Sequence, residues 1–316
     1  MLYSYLQNKF LFSKLALGTA ELGIDYGIPD PEDYGIPIEE ESKEIIELAY
    51  KNGINLYDTA PGYKTERLLG TTLNGLNSWL MTKVLMPPYE TENEIKRMIH
   101  EDIYNSAMQL HPNDYLENYS IPIVLLYNPT VEQIKVGIAT EVLKTSKQYG
   151  FVELIGASVY TEEEALAVID THDFDIIQVP YNILDRRMAD RVFPAAHKAN
   201  MLVVVRSALL KGVLTKKALY LPEELSELKS ATIKLKEKLP YAREDYWEWL
   251  PNMALRFCLY TSGVDSVIIG IRTQRELLNS IDAMELGRLG DYDLSFINQI
   301  EIEDTKLLDP RNWPFM

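Results

Sequence analysis

The chain has 316 residues, of which 47% are hydrophobic, enough for one large α/β barrel or for two smaller domains. Its formal net charge of −16 at pH 7 disfavours nucleic acid and anionic membrane surfaces as general partners, because the long-range field would repel both. The single cysteine, Cys258, excludes an internal disulfide, and the four histidines are too scattered for ligand spacing, so we expect no metal site.

The N-terminal segment MLYSYLQNKFLFS lacks the basic and apolar regions of a secretion signal. A run of about 18 uncharged apolar residues, the signature of a membrane span, is also missing from the sequence. We therefore expect a soluble, cytoplasmic protein without a membrane partner, either a monomer or a weak homo-oligomer. The alternation in residues 1–12 predicts a hairpin at the floor of a barrel.

Short apolar runs recur along the chain, and each predicts a strand. The eight runs are KLALGT (14–19), INLYD (54–58), WLMTKV (79–84), IPIVLLY (121–127), FVELIGAS (151–158), FDIIQVPY (174–181), MLVVVRS (201–207) and VDSVIIG (264–270). Segments with helical periodicity lie between them, such as residues 39–53 and 129–150, with Gly53 and Gly150 placed as helix stops. Strands that are apolar on both faces and alternate with helices are typical of parallel sheets, so eight units predict an α/β fold, the (β/α)8 or TIM barrel.

An open, doubly wound sheet is the alternative, but the first strand is followed by LGTAELG and not by GxGxxG. The long charged segment 208–245 predicts a partly helical excursion after strand seven, which could act as a lid. We expect a single domain over residues 1–316, with the barrel core at about residues 13–286 and a C-terminal extension at 287–316.

Polar residues stand at the carboxyl ends of the predicted strands, where barrels of this kind carry their chemistry. They are Asp58 and Tyr63, Lys83, Tyr127 and Asn128, Ser158, Gln178, Arg206 and Ser207, and, after strand eight, Gly270, Arg272 and Arg275. Lys83 needs a counter-charge in a buried strand, and Asp58 on the neighbouring strand is the natural one. A phenol near that lysine should have a pKa below its usual value of about 10, which would make Tyr63 a proton donor tuned toward neutrality.

Each of these residues alone also has an ordinary structural interpretation. An aspartate after a strand is typically a turn or helix cap, a lysine is typically solvated, and a tyrosine typically packs. The joint placement of the three on adjacent strands is what favours catalysis.

The chain resembles the aldo-keto reductases over about residues 13–286, in the segments GINLYDTAPGYKTERLLG, TKV, IGASVY, IQVPYN and VIIGIRTQREL. The resemblance implies a (β/α)8 barrel that binds NADPH, or less often NADH, without a Rossmann domain. The implied reaction is hydride transfer to or from the carbonyl group of a small-molecule substrate. Carried over by position, Tyr63 would be the general acid, with Lys83 and Asp58 lowering its pKa.

The same resemblance implies a set of cofactor-binding residues. Ser158 and Gln178 would hold the nicotinamide carboxamide. Arg272 and Arg275 would clamp a 2′-phosphate at a helix N-terminus, which favours NADPH over NADH. The remaining members are Gly18, Thr19 and Ala20 under the nicotinamide ribose, Asp58 beside it, Arg206, Ser207, Leu209 and Gly212 after strand seven, and Gly270 and Asn279 around strand eight.

The chain departs from the family pattern at strand four, where LLYNP stands in place of a run like LLHNP. Tyr127 therefore replaces the usual catalytic histidine. Its hydroxyl could share oxyanion stabilisation with Tyr63, or the residue could pack in the mouth and bind water, and the sequence leaves both open. Smaller departures are SVY on strand five, a loop after Tyr63 that is one residue shorter, an apparent insertion at 111–122, and an Asn279 displaced by one position.

Three functions follow from these patterns. The first is an NADPH-dependent carbonyl reductase. Its substrate site could be lined by aromatic residues, or the same residues could instead pack between helices; they are Tyr246, Trp247, Trp249, Trp313 and Phe315. The second is a nicotinamide-binding regulatory or partner protein that has lost catalysis with the histidine. The third is a Schiff-base aldolase with Lys83 as nucleophile, which Asp58 disfavours because a salt-bridged ammonium is a poor nucleophile.

Overall fold

The computed structural model describes residues 1–30, 35–86, 91–112, 120–238 and 245–314. Its strands are β1 (Tyr3–Leu6), β2 (Phe10–Ser13), β3 (Leu15–Gly18), β4 (Leu56–Asp58), β5 (Trp79–Leu85), β6 (Ile121–Tyr127), β7 (Val152–Ser158), β8 (Ile176–Pro180), β9 (Leu202–Arg206) and β10 (Ser266–Gly270). Its α-helices are α1 (Ala20–Gly23), α2 (Glu39–Lys51), α3 (Glu66–Thr72), α4 (Glu92–Leu110), α5 (Val131–Val136), α6 (Ile138–Gln148), α7 (Glu162–Thr171), α8 (Val192–Lys198), α9 (Ser226–Lys238), α10 (Tyr246–Leu259), α11 (Gln274–Glu285) and α12 (Asp291–Ile297).

Eight parallel strands close into a barrel in the order β10-β3-β4-β5-β6-β7-β8-β9. Closure occurs where β10 pairs with β3, with Val267 opposite Leu15 and Gly270 opposite Gly18. The eight strands are the eight apolar runs found in the sequence. The (β/α)8 prediction is therefore confirmed, and the alternative of an open, doubly wound sheet is wrong.

The helices begin and end where local chemistry dictates. Helix α2 opens with three glutamates that suit its N-terminal dipole, and Gly53 follows it in a left-handed conformation with φ of 86°. The predicted helical segment 129–150 is divided into α5 and α6, because Gly137 lies between them with φ of 76° and interrupts the hydrogen bonding. Gly150, with φ of 80°, follows α6 as predicted.

Alternate residues of each barrel strand point inward, and the character of these residues changes from the floor to the mouth. The inward positions in the lower part are apolar, namely Ala16, Leu56, Met81, Ile123, Leu125, Leu154, Ile176, Leu202, Val204 and Ile268. The inward positions nearest the mouth follow two residues later on each strand, except on β7, where the polar residue follows four residues later. They are Gly18, Asp58, Lys83, Tyr127, Ser158, Gln178, Arg206 and Gly270. Strand geometry thus assembles a ring of polar and glycine residues at the carboxyl ends of the strands.

The floor of the barrel is covered by the expected N-terminal hairpin, in which β1 pairs with β2 in an antiparallel manner. The rings of Phe10 and Phe12 lie 5.4 and 4.9 Å from the ring of Trp79, measured between centroids. The Trp79 indole N–H also donates to the carbonyl oxygen of Leu11 at 3.0 Å. These contacts close the floor with aromatic side chains, so the mouth is the end of the barrel that is left for a ligand.

The segment after β9 contains short 3-10 turns and α9, which agrees with a partly helical excursion; its residues 239–244 lie outside the described residues. Tyr246 is 1% exposed, and its hydroxyl donates to the Thr232 carbonyl oxygen, so this aromatic residue packs inside the protein. Trp313 is also buried, whereas Phe315 and residues 113–119 of the apparent insertion lie outside the described residues. A lid role for residues 208–245 stays a prediction.

Two further sequence expectations concern single features. Cys258 is buried in α10, as expected for a structural thiol, and burial raises the pKa of that thiol. In the part of the chain that the structure describes, none of the helices combines the length and the apolar character that crossing a bilayer requires.

Gly156 is a position where the barrel has no room for a side chain. A Cβ atom there would lie 2.5 Å from the Ile176 carbonyl oxygen and 2.6 Å from Leu125 Cδ2. Gly156→Ala is expected to destabilise the protein by about 3 kcal/mol, because a methyl group would be forced into packed strands. The urea unfolding midpoint measures this. Gly35→Ala is the control, since a Cβ at Gly35 meets nothing within 4 Å, and equal midpoints for the two variants would contradict the prediction.

Candidate active site

A buried ion pair lies at the mouth of the barrel. Lys83 Nζ is 2.6 Å from Asp58 Oδ1, and the two side chains are 4% and 8% exposed. The same ammonium donates to the carbonyl oxygen of Thr59 at 2.9 Å. An ammonium has three N–H donors, so one donor of Lys83 remains for another partner at the mouth.

The ion pair continues into two further strands through hydrogen bonds. Gln178 Nε2 donates to Asp58 Oδ1 at 2.8 Å, and the Ser158 hydroxyl donates to Gln178 Oε1 at 2.6 Å. Four strands, β4, β5, β7 and β8, thus share one network of four side chains. Asp58 accepts from both Lys83 and Gln178, which is the pattern of an ionised carboxylate.

Tyr63 lies next to this network, at the end of a short 3-10 turn after β4. The Lys83 ammonium is 5.0 Å from the centroid of the Tyr63 ring. The turn is held by threonine hydroxyls, since Thr65 Oγ1 lies 2.9 Å from Thr59 Oγ1 and 2.7 Å from Thr19 Oγ1. The structure therefore brings together the acid, the ammonium and the phenol that the sequence placed on neighbouring strands.

The expected direction of the Tyr63 pKa shift is wrong for this structure. Burial raises the pKa of Tyr63 well above its usual value, and the charge of Asp58 raises it further. Lys83 does not reverse this, because a carboxylate only 2.6 Å away balances its charge. Burial in turn lowers the pKa of Lys83. The cation that does lower the pKa of Tyr63 is Arg206.

Tyr127, which takes the place of the expected histidine, is paired with a second tyrosine. Its hydroxyl lies 2.9 Å from the hydroxyl of Tyr160, and either oxygen could be the donor. Burial raises the pKa of Tyr127, and the neighbouring Tyr160 adds to the shift. Sequence reasoning missed Tyr160, although it is the last letter of the segment IGASVY and follows β7 by two residues.

The residues after β9 approach the same place. The Arg206 guanidinium carbon is 3.9 Å from the centroid of the Tyr160 ring, and Arg206 Nη2 donates to the Val159 carbonyl oxygen at 3.0 Å. Ser207 adopts a positive φ of 61°, and Gly212 has φ of 103°. Leu209 packs against the hydrophobic core. Arg206 is thus the member of this group that contacts the mouth residues around Tyr160.

Arg311, from the C-terminal extension, is a further residue that the sequence did not indicate. Its guanidinium carbon is 3.8 Å from the centroid of the Tyr160 ring, and Nη1 donates to Asn128 Oδ1. Asp309 holds the same guanidinium by an ion pair of 2.6 Å. Asn128 and Arg311 are 183 residues apart in the chain, so no local pattern could have joined them.

The expected phosphate clamp is not formed at the end of β10. Arg272 Nε pairs instead with Glu21 at 3.1 Å, and its Nη2 donates to the Tyr26 carbonyl oxygen. The backbone N–H groups of Arg272 and Thr273 donate to the Glu276 carboxylate at 2.8 and 3.1 Å, so the N-terminus of α11 is already capped. Carboxylates within the chain therefore engage Arg272 and the first N–H groups of α11, and the phosphate clamp stays a prediction.

Three other predicted residues lie around the same strand end. Arg275 is 83% exposed, and Glu248 is its loosely placed neighbour at 3.9 Å. Asn279 is exposed on α11, and Gly270 is exposed at the end of β10. An added Cβ at Gly270 would lie 2.6 Å from Glu21 Oε1, so the Glu21 carboxylate lies directly against this backbone.

The turn after β3 is tied to the ion pair through the backbone. Thr19 is fully buried, and its hydroxyl donates to the Asp58 carbonyl oxygen at 3.0 Å. Gly18 lies close to β10, since a Cβ there would be 2.8 Å from Ile268 Cγ2. Ala20 begins the one-turn helix α1. This turn therefore positions Asp58.

The donor set fits a nicotinamide cofactor. Ser158 and Gln178 offer the hydroxyl and amide groups that suit a carboxamide, and Arg275 is a cation available to a phosphate group. Ser158 and Gln178 have no exposed surface, so a covering side chain has to move before a carboxamide reaches them. Among residues 1–30, 35–86, 91–112, 120–238 and 245–314, no group of three or more His, Cys, Asp or Glu side chains could hold a metal ion.

Lys211 is a half-buried cation in the loop after β9. Its ammonium lies 4.1 Å from the centroid of the Tyr26 ring. Burial lowers the pKa of Lys211 to about 8, the charge of Arg206 lowers it as well, and Glu21 opposes the shift. The Gly27–Ile28 segment lies against the same loop, since the Ile28 N–H donates to the Lys211 carbonyl oxygen at 3.2 Å.

Comparison with known proteins gives one family. The sequence profile of the aldo/keto reductase family matches residues 14–302. "Aldo-keto reductase YhdN" of Bacillus subtilis is 25% identical, over 92% of each chain. "NADH-specific methylglyoxal reductase" of Escherichia coli is 25% identical, over 80% of this chain and 85% of the relative.

Solved structures share the fold. Aldo-keto reductase AKR11C1 from Bacillus halodurans, in its holo form, matches with a TM-score of 0.74 at 24% identity, over 96% of this chain and 99% of that one. Glycerol dehydrogenase AKR11B4 from Gluconobacter oxydans matches with a TM-score of 0.71 at 20% identity, over 94% of each chain. These two likenesses establish the barrel and its connectivity.

Lys211→Met should change the pH dependence of stability. The folded-state pKa of Lys211, about 8, lies below the usual 10.5, so between these values the unfolded chain binds more protons than the folded one. The free energy of unfolding of the wild-type protein therefore rises relative to the variant as the pH increases above 8, by up to about 2 kcal/mol at pH 9.5. Urea unfolding at about pH 7 and about pH 9.5 measures this, and an equal pH dependence of the two proteins would contradict it.

Proposed function

The chain belongs to the aldo/keto reductase family and is an NAD(P)-dependent oxidoreductase, and on this basis we propose that it reduces a small carbonyl compound with NADPH and uses Tyr63 as the proton donor. The observation that carries the proposal is the convergence of three side chains at the mouth of the barrel. Lys83 is 2.6 Å from Asp58 and 5.0 Å from the centroid of the Tyr63 ring.

The roles of these residues follow from their charges. Reduced nicotinamide, when bound, supplies the hydride for the carbonyl carbon. Tyr63 donates its phenolic proton to the carbonyl oxygen, and its raised pKa keeps that proton in place at neutral pH. The remaining N–H donor of Lys83 and the charge of Arg206 stabilise the phenolate that the transfer leaves. Asp58 holds the ammonium in position.

Two pairs of hydroxyl and amide groups complete the proposed site. Ser158 and Gln178 hold and orient the carboxamide, which selects the face of the ring presented to the substrate. The hydroxyls of Tyr127 and Tyr160 carry two protons and form one hydrogen bond with each other. One of the two protons is therefore left to donate to a carbonyl oxygen. This is the role that the histidine replaced by Tyr127 would otherwise fill.

A regulatory or partner protein that binds nicotinamide is the second candidate, and Tyr127 is the observation that favours it. A phenol replaces the imidazole at this position, and its pKa is raised by burial. The Schiff-base aldolase has less support, because the Lys83 ammonium is bound to both Asp58 and the Thr59 carbonyl oxygen.

Tyr63→Phe is expected to lower kcat for aldehyde and ketone reduction by about 10²- to 10⁴-fold, because it removes the proton donor but keeps the ring. NADPH binding, followed by quenching of protein fluorescence, should be retained. Tyr5→Phe is the control for loss of a tyrosine hydroxyl, since Tyr5 is 65% exposed on the floor hairpin.

The same assay separates the alternatives. Tight NADPH binding with negligible turnover in both the wild-type protein and Tyr63→Phe would support the regulatory function and reject the reductase. A substrate adduct on Lys83 that is trapped by borohydride in the absence of NADPH would support the aldolase.

The preference for NADPH rests on Arg275. Arg272 is engaged by Glu21, whereas Arg275 is an exposed guanidinium at the start of α11 whose nearest carboxylate, Glu248, is 3.9 Å away. One relative, from Escherichia coli, is named for NADH specificity. The exposed guanidinium favours a cofactor with an additional phosphate here.

Arg275→Gln is expected to lower the ratio of kcat/KM with NADPH to kcat/KM with NADH by about tenfold, because a charge-assisted contact to phosphate is removed. Steady-state kinetics with both cofactors measures the ratio. Arg97→Gln, on the exposed face of α4, removes the same charge from a position that is 62% exposed and should leave the ratio unchanged. A wild-type preference for NADH would overturn the proposal for the cofactor.

A further inference from the structure

We propose that the substrate carries an anionic group, a carboxylate or a phosphate, which binds to Arg206 beside the Tyr160 stack at the barrel mouth. This inference rests on the proposed reductase function and adds the chemical class of the substrate to it. It is carried by the contacts of Arg206, by the stack of two guanidiniums on Tyr160, and by the contact that joins the Tyr160 hydroxyl to that of Tyr127.

Arg206 points into the mouth of the barrel. Leu202 and Val204 of β9 belong to the apolar interior, so the next inward position along the strand is Arg206. In the strand pairing, Val204 lies opposite Gln178 and Arg206 lies opposite Pro180. Arg206 is therefore one inward position closer to solvent than the network of Gln178.

The Arg206 guanidinium is incompletely neutralised. Its Nη2 donates to the Val159 carbonyl oxygen at 3.0 Å, and Nη1 has a long contact of 3.3 Å with Ser207 Oγ. Its Nε is buried and has no hydrogen-bond partner. In the part of the chain that the structure describes, Arg206 forms no ion pair with a carboxylate. A guanidinium in such a place is stabilised by an anion that brings new acceptors.

Two guanidiniums stack on Tyr160. The guanidinium carbons of Arg206 and Arg311 lie 3.9 and 3.8 Å from the ring centroid. Two groups at these distances could not share one face without overlapping, so they cover opposite faces of the ring. The two cations therefore place positive charge on the faces of a ring whose hydroxyl meets Tyr127.

Arg206 differs from the neighbouring arginines in having no ion pair of its own. Arg311 is paired with Asp309 at 2.6 Å, and Arg187 is paired with Asp185 at 2.7 Å. Asp309 also interacts with both Arg206 and Arg187, Glu164 interacts with Arg311, and Glu162 interacts with Arg187. Carboxylates therefore hold Arg311 and Arg187, whereas the Arg206 guanidinium forms no ion pair in the described part of the chain and is the group that an anion would reach.

The anion comes from the substrate and not from the cofactor. A nicotinamide ring carries no negative charge, and Ser158 and Gln178, which suit its carboxamide, lie in the layer below Arg206. The cation that suits the cofactor phosphates, Arg275, follows β10, whereas Tyr160 and Asn128 follow β7 and β6.

The anionic group takes no part in the reaction: a hydride adds to the carbonyl carbon, a proton from Tyr63 adds to the oxygen, and the carboxylate or phosphate is unchanged.

The test compares matched substrates. The first pair is 4-carboxybenzaldehyde and its neutral methyl ester, and the second is glyceraldehyde 3-phosphate and glyceraldehyde. We expect the wild-type protein to prefer the anionic member of at least one pair by about tenfold or more in kcat/KM. Arg206→Gln should reduce that ratio to about one, Arg206→Lys should retain part of it, and Arg97→Gln should leave it unchanged. The pair that responds identifies carboxylate or phosphate.

A ratio near one for both pairs in the wild-type protein, or a ratio that Arg206→Gln does not change, would overturn the proposal. Failure of the reductase function itself is distinguishable, because it would abolish turnover with all four compounds. Calorimetric titration of the wild-type protein and Arg206→Gln with benzoate, inorganic phosphate and benzamide then decides the question. Binding of benzoate or phosphate that requires Arg206 supports the anion site, and equal binding of neutral benzamide, or no anion binding, rejects it.

Discussion

The buried ion pair between Asp58 and Lys83 is the interaction on which the mouth of the barrel depends. Neighbouring strands place the two groups face to face, and loss of either partner would leave an uncompensated charge in a buried position, which costs about 3–5 kcal/mol. Asp58 also accepts a hydrogen bond from Gln178, which is joined to Ser158, so the carboxylate links four strands. The same contacts therefore tie the candidate site to the strands that carry it.

Arg206 is the cation that lowers the pKa of Tyr63, against the opposite effects of burial and of the Asp58 charge. Arg206 lies in the following inward layer and acts on the phenol of Tyr63, on the Lys83 ammonium and on the Asp309 carboxylate. Lys83 is held in an ion pair by Asp58, whereas Arg206 forms no ion pair with a carboxylate in the described part of the chain.

The fold could be read from the sequence because eight apolar runs separated by helical periodicity leave few other arrangements. Asp58, Tyr63 and Lys83 were found for a similar reason, since strand ends of adjacent units must meet. What escaped prediction depends on distant parts of the chain. Arg311 reaches Asn128 across 183 residues, and Arg272 forms an ion pair with Glu21. The direction of the Tyr63 pKa shift also escaped, because burial and the balance of neighbouring charges cannot be read from residue types.

The aromatic hairpin at the floor has a consequence for the order of events. With that end filled by Phe10, Phe12 and Trp79, molecules enter and leave through the opposite opening. Ser158 and Gln178 lie deeper than Arg206 along this path, so whichever molecule occupies them has to arrive before the one held by the outer layer, and to depart after it. Geometry therefore favours an order of association in which the deeper guest binds first and leaves last within each catalytic cycle.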